Sequence, residues 1–455
     1  MARGKKKEEL TLEEKLEQAL VPVEEQPYEV SGNWCWVRLG HVCEIAMGQS
    51  PSGTDVTDDE NYTPLIGGAS DMGELYPTAS RYTKVSTKLS KKDDIIVCIR
   101  ATLGNPIYSD GEYCLGRGVA GIRTICCGKE YLRYFFKTFE QYLYDNATGT
   151  TFAQVTGKVL AKMPFPLPPL DEQQRIVEQI ENLFAKLDEA KDKVQEAIAQ
   201  YGLRITSILH KALTGDLSLE WRTMHETTKE NWEIKKIKDV CKPRAGYAFD
   251  SKKFQNHGCQ IIRMGNLYGG VLDLSRSPVF ICEDEIDEKM IDRAKIKHGD
   301  ILITLTGTKY KRDYGYAVCI ENPENLYVNQ RILCLTPNEN INRDYLLYYL
   351  QSNIFRDIFF SNETGGVNQG NVSSKFVENI EIRIPPIEEQ RVIVRELNNM
   401  LLKEAQAAEL AGCVLQRIDL MKKSILAKAF RGELGTNNPE EESAIELLKT
   451  ILAET

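Results

Sequence analysis

The chain has 455 residues, a mass of 51.6 kDa and a formal net charge of -9, with 42% hydrophobic and 27% charged residues. This composition is typical of a globular protein with room for two to four domains. No stretch approaches 18 consecutive apolar residues, and the charged N-terminus lacks the apolar core of a signal peptide, so we expect a cytoplasmic protein without membrane contact. The twelve cysteines include no Cys-x-x-Cys pair and the five histidines are scattered, so we expect no zinc site.

The negative charge is unevenly distributed along the chain. Residues 31–165 carry 14 basic and 14 acidic side chains, and residues 231–382 carry 20 of each, so the whole deficit lies in the remaining segments. The overall acidity therefore does not exclude a basic, nucleic-acid-binding surface on either neutral stretch.

An internal repeat divides the chain into two variable blocks, each followed by a constant segment. PPLDEQ at 168–173 returns as PPIEEQ at 385–390, an offset of 217, and the same offset relates the segments that start at Ser207 and Ser424. The blocks match more loosely. In chain order we predict an N-terminal arm with a short helix (1–30), a first block (31–165), a first constant segment (166–220), a second block (221–382), a second constant segment (383–435) and a C-terminal tail helix (436–455).

Both constant segments are predicted to be long helices. Apolar or small residues recur in steps of 4 and 3 through 176–212 and 393–429, with one break at Glu404. A Pro-Pro pair precedes each segment and a glycine follows it, so each helix should have about 44 residues and a length of roughly 66 Å. The simplest arrangement is an antiparallel intramolecular coiled coil. The alternative is two separate amphipathic helices, each packed on its own block.

The variable blocks are predicted to be mixed. Runs such as 95–99 and 301–305 are typical of strands, and the aromatic-rich stretches 131–144 and 344–360 are typical of helices. The predicted fold class is α+β, with two similar mixed α/β domains separated by two long antiparallel helices and related by a pseudo-twofold. Outside this core, the stretches from Leu10 to Leu20 and from Pro439 to Leu452 are interpreted as short helices, or alternatively as solvated tails.

No motif for catalysis or cofactor binding stands out. Gly116–Gly121 spells G-x-G-x-x-G, but the next residues predict a strand instead of the helix that a dinucleotide site requires, so we interpret it as a turn. The chain contains neither a phosphate-loop motif nor the [DNS]-P-P-[YFW] tetrapeptide of amino-methyltransferases.

The doubled order of motifs resembles the DNA-specificity (S) subunits of type I restriction–modification systems. WCWVRLG at 34–40 opens the first block, and NW at 231–232 opens the second. LPPLDEQ and IPPIEEQ open the helices, and LTGDL and FRGEL close them. The stretch from Leu20 to Tyr28 is similar to the N-terminal arm of the family. The resemblance covers nearly the whole chain.

The resemblance implies a division of labour. Each block is expected to be a target-recognition domain that reads one half of an asymmetric bipartite sequence in double-stranded DNA, with half-sites about one helical turn (~34 Å) apart. The helices would set this spacing and dock partner subunits. No cofactor or active site is expected in this chain, because two modification subunits would bind S-adenosylmethionine and methylate adenine, and restriction subunits would use ATP and Mg²⁺ to cleave DNA. The alternatives are an enzyme with fused recognition domains (a DNA methyltransferase or nuclease) and a coiled-coil scaffold that does not bind DNA.

The candidate DNA contacts are polar and basic residues in matched loops. Arg, Lys, Asn, Gln, Ser and Thr read base edges, while Lys and Arg bind phosphates. Lys158 and Lys375 occupy equivalent positions and are expected phosphate contacts. In the first block the candidates are Gln49, Ser50, Arg81, Lys84, Arg100, Thr102, Arg117, Thr151, Gln154 and Lys158. In the second block they are Arg244, Arg263, Asn266, Thr306, Lys309, Lys311, Arg312, Gln330, Arg331, Asn368, Gln369, Asn371 and Lys375.

Overall fold

The computed structural model describes residues 10–149, 152–366, 368–435 and 437–454. The chain forms two compact units. The first unit combines the residues up to Val194 with those from Cys413 onward, and the second unit is Gln195–Gly412. Within the described ranges, no helix combines the length and apolarity needed to cross a membrane, and no cluster of His, Cys, Asp and Glu side chains could hold a metal ion.

Short strands and helices make up most of both units, and the long elements are helices. The helices are α1 (Leu12–Ala19), α2 (Leu39–Val42), α3 (Lys129–Thr138), α4 (Glu140–Asp145), α5 (Gly157–Lys162), α6 (Leu170–Ala199), α7 (Tyr201–Leu213), α8 (Leu219–Met224), α9 (Ile237–Val240), α10 (Glu288–Ala294), α11 (Arg343–Gln351), α12 (Asn353–Ser361), α13 (Ser374–Glu378), α14 (Ile387–Phe430) and α15 (Ala444–Glu454). The strands are β1 (Cys35–Arg38), β2 (Cys43–Met47), β3 (Val56–Thr57), β4 (Thr63–Ile66), β5 (Tyr82–Thr83), β6 (Ile95–Arg100), β7 (Thr102–Tyr108), β8 (Cys114–Leu115), β9 (Val119–Thr124), β10 (Pro164–Leu167), β11 (Glu233–Lys236), β12 (Cys241–Ala245), β13 (Cys259–Ile262), β14 (Phe280–Ile281), β15 (Ile301–Thr304), β16 (Thr306–Gly307), β17 (Ala317–Cys319), β18 (Leu326–Val328), β19 (Ile332–Pro337), β20 (Gly370–Asn371) and β21 (Glu381–Ile384).

The two units repeat one sheet topology. A four-stranded sheet has the order β2-β9-β6-β7 in the first unit and β12-β19-β15-β17 in the second. A further sheet in each unit contains a parallel pair, β4 with β8 and β13 with β18. The strand that opens each block pairs with the strand that leads into the long helix, and the registers agree, since Cys35 faces Leu167 and Glu233 faces Ile384. The repeat in the sequence is therefore a repeat of the fold.

The central strand of each four-stranded sheet is buried on both faces. In β15, Ile301 and Ile303 pack with the helices of the unit, whereas Leu302 packs on the opposite side with residues of β13 and β18. Strand β6 divides its side chains in the same way. Burial on both faces explains why these strands are continuous apolar runs without the alternation of a half-exposed strand.

The repeated PPxxEQ motif fixes the start of each long helix. The Gln173 side chain donates to the carbonyl of Pro168 (3.0 Å) and accepts from the backbone N–H of Gly128 (3.1 Å). Gln390 repeats both bonds, to the second proline pair (2.8 Å) and to the backbone of Asn342 (2.7 Å). Both glutamines are buried. Each long helix is thus tied to the start of the aromatic helix of its own block, α3 or α11.

The long helical segments pair antiparallel within each unit, and the predicted pairing is confirmed. Residue numbers fall along one partner as they rise along the other. Asp188 of α6 pairs with Lys422 of α14 in the first unit, and Arg204 of α7 pairs with Glu404 of α14 in the second. The pairs Arg175–Glu441 and Arg222–Glu389 continue the same order with residues beyond the ends of α14 and α7. The alternative of two helices without mutual packing is wrong.

The first helical segment differs from the single helix that we predicted. It is interrupted at Gln200, between α6 and α7, whereas α14 runs unbroken for 44 residues. The guanidinium of Arg204 donates to the carbonyl of Ala197 at the interruption (3.1 Å), so a side chain binds the backbone there. The interruption is local, because the N–H of Gln200 still donates to the carbonyl of Glu196 (3.1 Å).

The apolar seam of α14 also shifts by one residue relative to the prediction. Glu404 lies in the seam, where its carboxylate pairs with Arg204 at 2.7 Å and is 22% exposed. Beyond it, Val414 and Met421, where the predicted steps of 4 and 3 fall, are 42% and 46% exposed, while Leu415 is half-buried. The burial pattern therefore follows the 3.6-residue period of a straight helix more closely than a strict heptad.

The shorter elements depart from the prediction in smaller ways. Each aromatic stretch folds as two helices, with breaks at Phe139 and Ser352, and the hydroxyl of Ser352 caps α12 by accepting from the N–H of Phe355. Both terminal helices are formed, so they are not solvated tails. Lys15 of α1 donates to the carbonyl of Leu452 in α15 (3.0 Å).

One buried ion pair anchors the second unit. The carboxylate of Glu389 is fully buried and accepts from Arg222 (2.6 Å), from the hydroxyl of Ser218 (2.8 Å) and from the indole of Trp232 (3.0 Å). Arg222 is itself only 3% exposed. Each charge depends on the other, because an unpaired charge at such a site is strongly unfavourable.

Replacement of Glu389 by alanine should therefore strongly destabilise the second unit. We expect its free energy of unfolding to fall by roughly 3–5 kcal/mol, since Arg222 would remain buried without its counter-ion. Urea unfolding followed by tryptophan fluorescence measures the loss. Glu388→Ala is the matched control, because this neighbour is 63% exposed and pairs with Arg391 at the surface. Equal losses from both variants would contradict the assigned role.

Candidate nucleic-acid interface

In the first unit, loops from four strands meet at a cleft of about 370 Å³. Strands β4 and β8 run parallel, so their carboxyl ends lie at the same edge of the sheet, and the loops that follow β2 and β6 join them there. Ala101 has a φ of 64°, which turns the chain sharply after β6. Three of the predicted contacts are brought together in this cleft: Ser50, Arg100 and Arg117.

Within the described part of the chain, no acidic side chain neutralises the positive charge of this cleft. Arg100 and Arg117 are exposed, and neither forms an ion pair with another described residue. The hydroxyl of Ser50 accepts from the backbone N–H of Arg117 (3.2 Å) and so holds the Gly116–Gly118 turn. This turn leads into strand β9, as we predicted for the G-x-G-x-x-G sequence. Phe152, 58% exposed, adds an aromatic side chain to the rim.

The second unit has a corresponding cleft of about 470 Å³. It lies where β13 and β18, the second parallel pair, end. The predicted residues Arg263, Gln330 and Arg331 line it, and Arg331 is exposed without an ion pair among the described residues. The guanidinium of Arg263 donates to the carbonyl of Ser277 (2.8 Å) and is only half-buried. Corresponding loops thus build a cleft in each unit from different side chains.

Asn266 borders this cleft but is almost fully buried in its loop. The side chain is 2% exposed, donates to the carbonyls of Asp273 and Arg276 (2.9 Å each) and accepts from the backbone of Arg263. All its polar atoms are therefore bonded within the loop. The expectation that Asn266 contacts DNA is corrected to a role in shaping the loop.

Arg244 and Thr306 are also committed inside the second unit. The guanidinium of Arg244 is 9% exposed, pairs with the buried carboxylate of Asp300 and donates to the carbonyl of Lys295 (2.6 Å). Thr306 is 6% exposed, and its hydroxyl contacts the sulfur of Met264. Both predicted contacts are corrected, because each side chain is largely buried and already bonded inside the unit.

The most basic predicted loop joins β16 to β17. Its base is held by the β16–β20 pairing, which places Lys309, Lys311 and Arg312 in the same loop cluster as Asn371. Lys309 donates to the carbonyl of Gly365 (3.1 Å), and Arg312 lies near Asp357 (3.8 Å) and over the ring of Phe360 (5.1 Å). Lys311 is exposed and has no ion partner among the described residues. Asn368 and Gln369 are exposed in the segment that leads into β20, and Asn371 is half-buried.

Lys158 and Lys375 occupy matching positions, in line with their spacing in the sequence. They follow the first residue of α5 and α13, whose N-caps are Thr156 and Ser373. Both lysines are exposed and have no ion partner among the described residues. Neither lines the cleft of its unit.

The remaining candidates of the first unit lie outside its cleft. Arg81 is within 3.5 Å of the buried carboxylate of Asp71, and Lys84 lies 5.8 Å from the ring centre of Tyr62. Gln49, Thr102 and Gln154 are exposed, and Gln154 pairs by its backbone with Arg100. Thr151 lies outside the described residues.

Sequence reasoning missed several side chains at these surfaces. Arg276 lines the second cleft and stacks on Tyr268, which is 52% exposed (5.0 Å to the ring centre). Tyr310 is 79% exposed in the basic loop. A basic residue or an exposed aromatic within a Gly/Ser/Asn-rich loop was the available signal, since such loops carry binding residues.

The comparisons with known proteins agree with this architecture. The family model for the type I restriction modification DNA specificity domain matches residues 31–200 and 229–407. The MjaVIII specificity subunit of Methanocaldococcus jannaschii, a type I restriction enzyme subunit, is 23% identical over 90% of this chain and 95% of its own length. The EcoBI specificity subunit of Escherichia coli is 26% identical over 80% of each chain.

A solved structure supports the fold. The crystal structure of the HsdS subunit from Thermoanaerobacter tengcongensis superposes with a TM-score of 0.59, covers 90% of this chain and 100% of its own, and is 21% identical. The two matched ranges cover the folded part of each block and the first part of the helical segment that follows it. The chain is a member of the DNA specificity family of type I restriction–modification systems. Within that family it is a specificity subunit, the DNA-recognising component.

Replacement of Lys311 by alanine tests the basic loop. We expect weaker binding to all DNA sequences, and a slope of log K against log salt that is smaller by about one unit, because one phosphate contact releases about one counterion. Titrations of labelled duplex at several salt concentrations measure the slope. Lys193→Ala is the control, since this lysine is 72% exposed on α6 and already pairs with Glu189. An unchanged slope for Lys311→Ala would remove the residue from the interface.

Proposed function

We propose that each unit of this specificity subunit reads one half of an asymmetric bipartite sequence in double-stranded DNA. The observation that carries the proposal is the repeat of the cleft. Both units share one sheet order and one strand register, and both have a cleft near the end of a parallel strand pair, lined by exposed arginines that form no ion pair with a described residue. Guanidinium groups of this kind bind the O6 and N7 atoms of guanine and the phosphates of the backbone.

The two half-sites should differ in sequence. The cleft of the first unit presents Arg100, Arg117 and a serine, whereas that of the second presents Arg331, Gln330 and Asn329. Gln and Asn side chains suit adenine, through its N6 and N7 atoms. Because the two clefts share one backbone geometry but carry different side chains, they should recognise different bases.

The long helices suit the role of a spacer. Helix α14 has 44 residues, so it spans roughly 66 Å, and a helix keeps a fixed rise and rotation per residue. We infer that α14, together with α6 and α7, sets the gap between the half-sites and docks two modification subunits and the restriction subunits. S-adenosylmethionine, ATP and Mg²⁺ would be held by those subunits, and this chain would be non-catalytic and act in the cytoplasm. We also propose the division of the chain into the six segments given by the sequence, from the N-terminal arm (1–30) to the C-terminal tail (436–455).

A map of N6-methyladenine across the host genome, with this gene intact and deleted, tests the proposed function. We expect one split motif, two short sequences around a fixed gap, to lose methylation on deletion. Re-expression of the gene should restore the same motif. If no motif changes although the partner subunits are expressed, the chain does not direct modification.

Single substitutions in the two clefts should separate the two halves of that motif. Arg117→Ala should relax one half and Arg331→Ala the other, each by roughly 1–3 kcal/mol of discrimination at one position. The same methylation map reads out both variants. Arg395→Ala, which removes an exposed arginine on α14 that pairs with Glu396, should leave both halves unchanged. If both cleft variants relaxed the sequence requirement in the same half of the motif, the assignment of one half-site to each unit would be contradicted.

A further inference from the structure

The second unit carries an unfilled groove of about 610 Å³, which we call the β11 groove. It is bounded by β11 and β21, by the helices α11 and α12 and by the end of α7. Two aliphatic side chains within it are open to solvent, Ile234 (61% exposed) and Ile358 (37% exposed). The tyrosines Tyr345 and Tyr349 form its inner wall. An apolar groove of this size and depth is typical of a binding site.

The corresponding groove of the first unit is filled by the chain itself. Tyr28 of the N-terminal arm packs on Trp36 of β1 (5.0 Å between ring centres) and donates its hydroxyl to the carbonyl of Phe430 (2.9 Å). The indole of Trp36 in turn donates to the carbonyl of Tyr28 (2.9 Å), and Arg431 lies over the Tyr28 ring. Trp36 is consequently 2% exposed. Burial raises the pKa of the Tyr28 phenol, as expected for a ring held inside a groove.

The register of the strands establishes that the two grooves correspond. The pairings Cys35–Leu167 and Glu233–Ile384 match Trp36 of β1 to Ile234 of β11. The hydroxyls at the inner wall match as well, since Tyr131 donates to the carbonyl of residue 166 and Tyr345 to that of residue 383 (3.0 Å each). One groove is therefore closed by a peptide, and its counterpart is open.

The closed groove shows how the peptide is held. Leu20 bridges to Val37 at the outer edge of β1, and the N–H of Val21 donates to the carbonyl of Trp36 (2.9 Å), so the arm adds to the sheet edge. Glu25 of the arm then pairs with Arg38 (2.6 Å). The contacts thus combine backbone pairing, an acidic side chain and an aromatic side chain.

The open groove offers the same three kinds of contact. Within the described part of the chain, β11 pairs with β21 alone, which leaves its other edge free for a further strand. Lys236 takes the position of Arg38 and has no ion partner among the described residues. The pocket next to Ile358 takes the place of the one that Tyr28 fills. The chain's own arm is already engaged in the first unit, and no other described segment enters the open groove, so we assign its occupant to another molecule.

We propose that the β11 groove binds an extended, acidic segment of a partner protein that carries an aromatic residue, in the manner of the arm in the first unit. The segment adds a strand to the free edge of β11, pairs a carboxylate with Lys236 and inserts its aromatic ring beside Ile358. The inference goes beyond DNA reading and requires no contact with DNA. It does rest on the proposed function for one point, the existence of partner subunits.

A labelled peptide with the arm sequence of residues 20–29 is the first probe. We expect the peptide to bind the full-length chain. The Ile358→Glu substitution should raise the dissociation constant of the peptide by about tenfold or more, because it places a charge against the aromatic ring. Ile291→Glu is the matched control, because Ile291 is 41% exposed on α10 and does not line the groove. This variant should bind the peptide as tightly as the unaltered chain. Lys236→Glu should also weaken binding. No binding to the unaltered chain, or equal binding by the Ile358 and Ile291 variants, would overturn the proposal.

Photocrosslinking decides where the peptide binds. A benzoylphenylalanine in place of the peptide's tyrosine should label residues 345–358 of the second unit. Labelling confined to residues 131–144 would mean that the peptide only displaces the arm, and would overturn the proposal. The same photoreactive residue at position 234 of the full-length chain, in the purified complex, should form an adduct with an acidic segment of a partner subunit. An adduct with the arm of a second copy, or none, would exclude a partner protein as the occupant.

The two proposals fail separately. Loss of the arm peptide's binding with an intact methylation motif would refute only the groove. Normal peptide binding by a chain that directs no modification would refute only the proposed function.

Discussion

The fold depends on the junction at which a strand passes into a long helix. A Pro-Pro pair cannot continue a helix upstream, so α6 and α14 must begin just after it. The buried glutamine of each junction then ties the first turn to the proline carbonyl and to the backbone at the start of α3 or α11. An amide that both donates and accepts inside a core cannot move without losing a bond that water does not replace. Each long helix therefore starts in a fixed orientation relative to its own recognition block.

Because this junction fixes the helices and the sheets, the loops of each block can vary without changing the fold. The sheet order and the strand register repeat between the units, whereas the cleft residues do not. The buried aspartate at the start of the central strand shows how the frame tolerates change. Asp94 is held by Arg123 of β9, and Asp300 is held by Arg244 of β12, so one internal charge is balanced from two different strands.

The sequence was sufficient for the repeat, the helical pairing and the family, but less so for the site. Apolar periodicity and rigid spacing are properties of the chain alone, and they predicted the long helices because burial of one face dominates such helices. The break at Gln200 and the seam shift at Glu404 depend on contacts between the helices. Arg204 of α7 donates to the carbonyl of Ala197 at the break and pairs with Glu404 of α14. Arg244 was assigned to DNA because its loop position was visible but its partner was not. Its position follows from an ion pair with Asp300, 56 residues further along the chain. The two residues meet because β12 and β15 both flank β19 in the folded sheet.

The same limit explains the other outcomes at the site. Ser50, Arg100 and Arg117 converge because the loops after β2, β6 and β8 meet at one cleft, a consequence of sheet topology that the sequence alone did not display. Asn266 was predicted to contact DNA, yet its amide organises the loop that presents Arg263. A polar residue in a loop serves either the loop or the ligand, and only the geometry of its hydrogen bonds separates the two.

The first unit is built from two segments that are far apart in the chain, and this affects how the protein folds during synthesis. This unit needs residues from both before Val194 and after Cys413, whereas the second unit is one continuous stretch. Synthesis at roughly 5–20 residues per second means that the early part of the first unit waits on the order of ten seconds or more for its complement. During that interval the Ile176 and Ile180 face of α6 lacks Leu426 and Phe430, with which it shares a core. The later-encoded unit can thus fold first, and the nascent chain exposes the apolar face of α6 until translation is nearly finished.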